Sequence, residues 1–286
     1  MKLYHEAELG ERVGKIILLN TPIGNLSDLT PRVREALEKG EVFAAEDTRS
    51  FKDLLNHLGI SVSGKRILSL HDQSEARDLD KIIELAMNGV VYVASEAGSP
   101  IISDPAYPLV CAAYEKGIEV ESFSGVSSPV MALELSGLPP LPFQFHGFLP
   151  RESGKRRKIF ENLGGGTHIF FEAPTRIEDT MEDLLMVLPE VRVALVRELS
   201  KKFQEVLRFR AIDWEEKKNN LTVKGEFVLL FHKGEAKTSG TKELTSLAQE
   251  IILKGASPKL LAKLLSVILD RPTKEIYSEL TRQNKD

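Results

Sequence analysis

The sequence predicts an α/β protein made of two α/β domains followed by a small C-terminal helical appendage. Three observations carry this reading. Short apolar runs alternate with helical patterns from Lys15 to about Gly137, as in strand–helix–strand folds. The run Leu138-Pro139-Pro140-Leu141-Pro142 then breaks the pattern, because neither a helix nor a central strand tolerates such prolines. Finally, a stretch rich in Gly, Ser, Thr and charge over residues 233–241 reads as a linker. The expected division is 15–124 for a domain with a mainly parallel sheet, 125–232 for one with a mixed sheet, and 242–286 for the helical segment.

In the first domain, residues 16–19, 42–45, 67–70, 90–95 and 120–123 are expected strands. Most are apolar at consecutive positions, as strands buried on both faces of a parallel sheet are. Thr30-Pro31 caps a helix carrying Val33, Ala36 and Leu37, with proline at the favoured first helical position. Leu79, Ile82, Ile83 and Ala86 form one face of a helix that stops at Gly89. Asp104-Pro105 opens a third helix through Leu109, Val110, Ala112 and Ala113, with Gly117 as its stop. Cys111 lies on this helix and is read as a core side chain.

In the second domain the expected strands are residues 143–148, 168–171, 192–197, 204–210 and 226–231, with helices near 155–163 and 177–188. Beyond the linker, residues 242–254, 258–269 and 273–281 read as helices. The last two either pack on each other through Leu260, Leu261, Leu264, Leu265, Ile268 and Ile276 or form a helix-turn-helix-like RNA contact.

Composition narrows the function. The 38 basic and 42 acidic side chains of the 286 residues give a net charge of −4, which excludes a histone-like polycation but not a local basic patch. A single cysteine, Cys111, forms no intramolecular disulfide and no cysteine-rich zinc site. The six histidines are scattered, so no metal is expected. The first 14 residues are polar and mixed in charge, unlike a signal peptide. No apolar run approaches the roughly 20 residues of a membrane span, and a cytoplasmic protein without membrane contact is expected.

Four expected strands of the first domain run into turns of unusual composition: Asn20-Thr21-Pro22-Ile23-Gly24-Asn25, Glu46-Asp47-Thr48-Arg49, Ser95-Glu96-Ala97-Gly98-Ser99-Pro100, and Ser124-Gly125-Val126-Ser127-Ser128-Pro129. Open α/β sheets bind ligands at the carboxyl ends of their strands. Each turn alone is ordinary; four together point to a shared ligand pocket. Neither G-x-G-x-x-G nor G-x-x-x-x-G-K-[ST] occurs, which disfavours a nicotinamide or P-loop nucleotide site.

These segments, with Gly147-Phe148-Leu149-Pro150-Arg151, Phe171-Glu172-Ala173-Pro174-Thr175-Arg176, Arg197-Glu198-Leu199-Ser200-Lys201-Lys202-Phe203 and Lys224-Gly225-Glu226-Phe227, resemble the tetrapyrrole-methylase superfamily, and within it the members that methylate small-subunit ribosomal RNA. The resemblance spans nearly the whole chain. Glu96 replaces the family's usual Asp, and Ser124-Gly125-Val126-Ser127 its usual Pro-Gly-Pro-Ser. The resemblance implies S-adenosylmethionine as methyl donor, a cofactor cleft between the two α/β domains and a homodimer. The implied product is a 2′-O-methylated cytidine in the decoding region of 16S rRNA, with the 30S subunit as partner.

On that reading, Pro22, Gly24, Ala97, Gly98, Ser99, Ile101, Ser127 and Ser128 supply the first-domain side of the donor pocket, and Phe171, Ala173, Pro174, Gly225 and Glu226 the second. A ribose hydroxyl is a poor nucleophile at neutral pH, so a general base helps it. Glu46, Asp47, Glu96 and Asp104 are the candidate carboxylates, and sequence does not choose among them. Arg151, Lys155, Arg156, Arg157 and Lys158 form a basic segment suited to RNA phosphates, which Lys201, Lys202 and Arg49 extend. Two alternatives stay open: a superfamily enzyme acting on a tetrapyrrole or another small molecule, and a ribosome-binding factor that has lost catalysis.

Overall fold

A computed structural model describes residues 14–71, 76–102, 105–234, 247–252, 254–269 and 271–281. The chain divides into two compact units after Lys233. The first unit holds two five-stranded sheets with their helices.

The first sheet consists of β1 (Lys15–Leu19), β2 (Val42–Ala45), β3 (Arg66–Ser69), β4 (Val90–Ala94) and β5 (Glu119–Phe123) in the order β3-β2-β4-β1-β5. Every pairing is parallel, so all carboxyl ends lie on one edge. Leu19 stands abreast of Ala94 and Phe123, and Ala45 abreast of Ala94. The four turns singled out in the sequence therefore leave side by side. Ile16 and Leu18 face one core with Val91, Val93 and the helices α3 (Ala76–Asn88) and α4 (Ala106–Glu115). Ile17 and Leu19 face the other with α1 (Pro31–Lys39) and α2 (Thr48–His57). Burial on both faces is why these strands read as unbroken apolar runs.

α1 starts as its Thr30-Pro31 signature predicts, the Thr30 hydroxyl accepting from the Val33 amide at 3.3 Å. α2 was not foreseen. Its first turn is the charged segment after β2, with Asp47 as its cap. Cys111 is half-buried and stands outside the core cluster under α4, so it is no core residue.

The second sheet orders β6 (Phe143–Phe148), β7 (Gly166–Glu172), β10 (Phe227–Lys233), β8 (Arg192–Arg197) and β9 (Glu205–Arg210). β6 runs parallel to β7, and the other pairings are antiparallel, which is the expected mixed sheet. α6 (Ser153–Asn162), α7 (Ile177–Val187) and α8 (Trp214–Lys217) cover one face through Phe160, Met181, Leu184 and Trp214. α5 (Ser128–Ser136), also not foreseen, covers the other through Ala132. Ile23, from the turn after β1, packs into that second core beside Leu199 and Val228, so the first sheet's loops are built onto the second sheet.

In the second unit, residues 247–252, Pro258–Leu269 and Thr273–Thr281 are helical; residues 242–246 lie outside the described residues. Ala248, Ala262, Leu265, Ile276 and Leu280 form its core. The expected helix pairing is present, but Leu260, Leu264 and Ile268 are exposed rather than part of the seam. Among the described residues no helix is long and apolar enough to cross a membrane.

Candidate functional site

An open cavity of about 400 Å³ lies between the carboxyl edge of the first sheet and the second sheet, a size typical of small-molecule sites. The first sheet supplies Ile23, Glu46, Ala97, Gly98, Ser99 and Ile102, and α5 supplies Ser127, Ser128 and Pro129 from its start. The second sheet supplies Phe148, Phe171, Glu172, Ala173 and Pro174 from the ends of β6 and β7, and Gly225, Glu226, Phe227 and Val228 from the start of β10. β10 is antiparallel to β7, with Phe227 opposite Glu172, which brings the end of one strand beside the start of the other.

Gly98 anchors the floor. Its amide donates to the Thr21 carbonyl at 3.1 Å, its carbonyl accepts from the Thr21 amide at 2.9 Å, and its φ is 80°. A residue with a β-carbon is strained there. The Ser95 hydroxyl adds a bond to the Gly98 carbonyl at 3.2 Å. Gly98 therefore shapes the loop; its backbone groups are already paired with Thr21.

Three expected donor-pocket residues stand elsewhere. Gly24 lies under the Lys201 side chain, Pro22 is buried behind the wall, and Ile101 packs toward the core under α3 and α4 while its neighbour Ile102 takes the cavity position. Sequence reasoning also missed Ile23, Phe148, Glu172, Pro129 and Leu199. All five lie inside the segments singled out in the sequence, so the signal was present without a role.

The carboxylates separate. Glu46 and Glu96 line the cavity, and Glu96 accepts from the Ser50 hydroxyl at 2.7 Å. Asp47 does not line it. Its carboxylate accepts from the Arg49 and Ser50 amides at 2.6 and 3.2 Å, and those two bonds hold its pKa below the ordinary value. It caps α2. Asp104 lies outside the described residues.

Glu172 is buried beside the cavity, bound to the Ala173 amide, the Thr180 hydroxyl and the Arg176 guanidinium at 2.8, 2.7 and 2.5 Å. Arg176 in turn donates to the Leu149 carbonyl at 3.0 Å. This network fixes the Ala173-Pro174 wall to the segment leaving β6.

The basic residues also separate. Arg156 is a correction. It is buried, ion-paired with Asp183 and bonded to the Pro150 and Arg151 carbonyls, so it offers nothing to a phosphate. Arg157 is part-exposed, 3.5 Å from the same Asp183. Arg151, Lys155, Lys158, Arg49 and Lys202 are exposed. Lys201 lies between Glu198 and Glu226 at 3.0 and 2.9 Å. Burial pulls its pKa down, but the hydrogen bonds it donates to Glu226 and Glu198 outweigh it and leave the pKa raised. With two carboxylates on it, Lys201 organises the rim rather than an RNA phosphate. Ser200 beside it donates to Asp28 of the first sheet's loop, and both Glu198 and Ser200 have positive φ, at 52° and 63°. Strained backbone of this kind collects at functional sites.

The cavity suits a small organic ligand held at close range. Small residues admit close approach, the lining is largely apolar, and Glu46, Glu96 and Glu226 supply negative charge. Among the described residues no group of three or more His, Cys, Asp or Glu is placed to hold a metal ion.

Comparison with known proteins agrees with this geometry. The model of the tetrapyrrole (corrin/porphyrin) methylases matches residues 15–213. A protein of Halalkalibacterium halodurans named ribosomal RNA small subunit methyltransferase I is 39% identical over 236 residues, 80% of this chain and 80% of that protein. A namesake from Streptococcus pyogenes serotype M3 is 34% identical over 273 residues, 93% and 94% of the two chains. Among solved structures, uroporphyrin-III-C-methyltransferase from Thermus thermophilus has a TM-score of 0.51 at 20% identity, over 77% of this chain and 94% of that one. Diphthine synthase has a TM-score of 0.54 at 15% identity, over 77% and 89%. The structural likenesses establish the shared fold. The family match and the sequence relatives establish more: the chain belongs to the tetrapyrrole methylase family, grouping with the proteins named ribosomal RNA small subunit methyltransferase I.

Proposed function

We propose that the protein methylates the 2′-oxygen of a cytidine in the decoding region of 16S rRNA, using S-adenosylmethionine and acting as a homodimer on the 30S subunit. The observation that carries this reading is the cavity itself, built from two sheets in a chain whose relatives bear the name of an rRNA methyltransferase. When bound, S-adenosylmethionine supplies an electrophilic methyl group on a sulfonium centre. The chain's part is alignment, exclusion of water and proton handling. Ala97, Gly98, Ser99, Ser127 and Ser128 receive the donor from the first sheet, and Phe171, Ala173, Pro174, Gly225 and Glu226 from the second. Of the candidate carboxylates, Glu46 and Glu96 line the cavity, and one of them takes the ribose proton on this reading. Arg49, Arg151, Lys155, Lys158 and Lys202 face solvent and hold the phosphate backbone. The reading keeps the division into domains 15–124, 125–232 and 242–286, with catalysis in the first two.

The test is incubation of unmethylated 30S particles with labelled donor, then mapping of the modified nucleotide. Label on a cytidine ribose of the decoding region is the expected result. Absence of label from RNA, or transfer to a tetrapyrrole instead, overturns the reading.

A further inference from the structure

We propose that Phe148 is the stacking platform on which a nucleobase of the RNA substrate rests, a proposal that itself rests on the rRNA reading above. The argument begins with strand register. Side chains alternate across a sheet with a period of two, so Phe145 and Phe148, three apart, belong on opposite faces of a regular strand. They do not stand there. Phe145 pairs with Ile169 and Phe148 with Phe171, so β6 uses three steps where β7 uses two, and the register shifts between them. This is a β-bulge, a device that re-aims a side chain and collects near active sites.

Gly147, inside the bulge, has φ 70°, a conformation glycine adopts at no steric cost. The consequence is visible in the rings. Both phenylalanines contact Phe171 edge-on, with centroids 4.8 Å away for Phe145 and 5.4 Å for Phe148. His146, the other residue between the two, faces the other side, stacked on Phe170 at 4.6 Å. The extra residue thus turns Phe148 away from the face covered by α6, α7 and α8 and into the cavity wall.

Phe148 lines that cavity and yet is 60% exposed. Core packing does not account for a ring this open, and Phe171 fixes its orientation in advance. Rigid, exposed aromatic rings at a site mouth are what single-stranded RNA recognition uses, since every base offers a π-face. Arg151, three residues further along the same segment, is exposed and places positive charge where the RNA backbone arrives.

The experiment compares Phe148→Leu, which keeps apolar volume without a π-face, with Phe148→Tyr, which keeps the ring. Three quantities are measured: affinity for unmethylated 30S particles by filter binding with S-adenosylhomocysteine present, affinity for S-adenosylhomocysteine by calorimetry, and kcat/KM for methylation. Base–aromatic stacking predicts that Phe148→Leu loses about tenfold or more in particle affinity and kcat/KM, with Phe148→Tyr within about threefold of wild type. Affinity for S-adenosylhomocysteine stays unchanged in both. The proposal is overturned if Phe148→Leu matches wild type on particles, or if its main loss is in S-adenosylhomocysteine affinity, which would put the ring on the adenine. Failure of the wild-type protein to label RNA overturns the functional reading itself, and is told apart because it is read before any variant is made.

Discussion

Arg156 and Asp183 meet at 2.7 Å where α6 packs on α7, with only 4% and 7% of their side chains exposed. The Ser153 hydroxyl adds a bond to the same carboxylate at 2.6 Å. Removing one member of a buried pair strands the other charge in low dielectric. Arg156→Ala is therefore expected to lower folding stability by about 3–5 kcal/mol, measured by urea denaturation.

The exposed basic residues are expected to behave in the opposite way. Arg151, Lys155 and Lys158 replaced together by alanine leave stability near wild type but weaken 30S binding. Each lost phosphate contact flattens the log–log salt dependence by roughly 0.7–0.9. Binding titrations across a salt series check this, and an unchanged slope would make the segment a solvated helix start.

Gly98 sits at φ 80° with Ile23 Cγ2 3.3 Å from where a β-carbon would stand. Gly98→Ala is expected to cost about 1–2 kcal/mol in backbone strain and to weaken donor binding, because the Thr21–Gly98 bridge carries the cavity floor. Calorimetry with S-adenosylhomocysteine on the folded variant measures the second effect.

The carboxylates give a contrast within one experiment. Asp47→Ala removes a helix cap and should lower stability by about 0.5–2 kcal/mol with turnover per folded molecule unchanged. Of Glu46→Gln and Glu96→Gln, the one that removes the general base should slow methyl transfer by about a hundredfold or more while donor affinity holds. Near-normal turnover in both would assign the proton to another acceptor.

A pH dependence follows from three histidines. His168 Nε2 donates to the Gly164 carbonyl at 3.1 Å, which leaves Nδ1 to accept from His146 Nε2 at 3.0 Å. Burial lowers the pKa of both from 6.5, and their mutual repulsion lowers His146 further. His232, also lowered by burial and then by Arg192, bonds to Thr167 at 3.0 Å. Neutral in the folded state, these rings take up protons more readily once unfolded. Their stabilisation is complete above pH 6.5 and is lost as pH falls below it toward the lowered folded values. Thermal melts between pH 5 and 7.5 should show the decline, and His146→Phe should reduce it.

Much of the fold was legible because the strands of the first sheet are buried on both faces and keep their apolar runs intact. α2 and α5 were not, for a shared reason. Their first turns, Asp47-Thr48-Arg49 and Ser127-Ser128-Pro129, carry the polar and hydroxylic residues that also make strand-end turns, and nothing local decides between the two. The site was legible at the level of loops and failed at single side chains. Arg156 stands among four other basic residues, and the carboxylate that buries it, Asp183, is 27 positions away. Lys201 reads as an exposed charge until Glu226 is brought to it by the pairing of β8 with β10. The bulge at Gly147 hides in a six-residue strand, too short for one extra residue to disturb the alternation visibly.

The hydrogen bond from Ser200 to Asp28 joins a loop of the second sheet to a loop of the first across 172 positions of chain, and Ile23 reinforces it from within the second core. Each half thus completes the other's ligand wall, and neither holds a binding site when the other is unfolded. Ligand binding is therefore linked to the folding of both sheets. A ligand at a hundred times its Kd adds about 2.7 kcal/mol to the folded state, and the gain falls on both sheets at once. Cutting the clasp with Ser200→Ala should let the two halves melt apart, and the ligand should draw them back into a single transition.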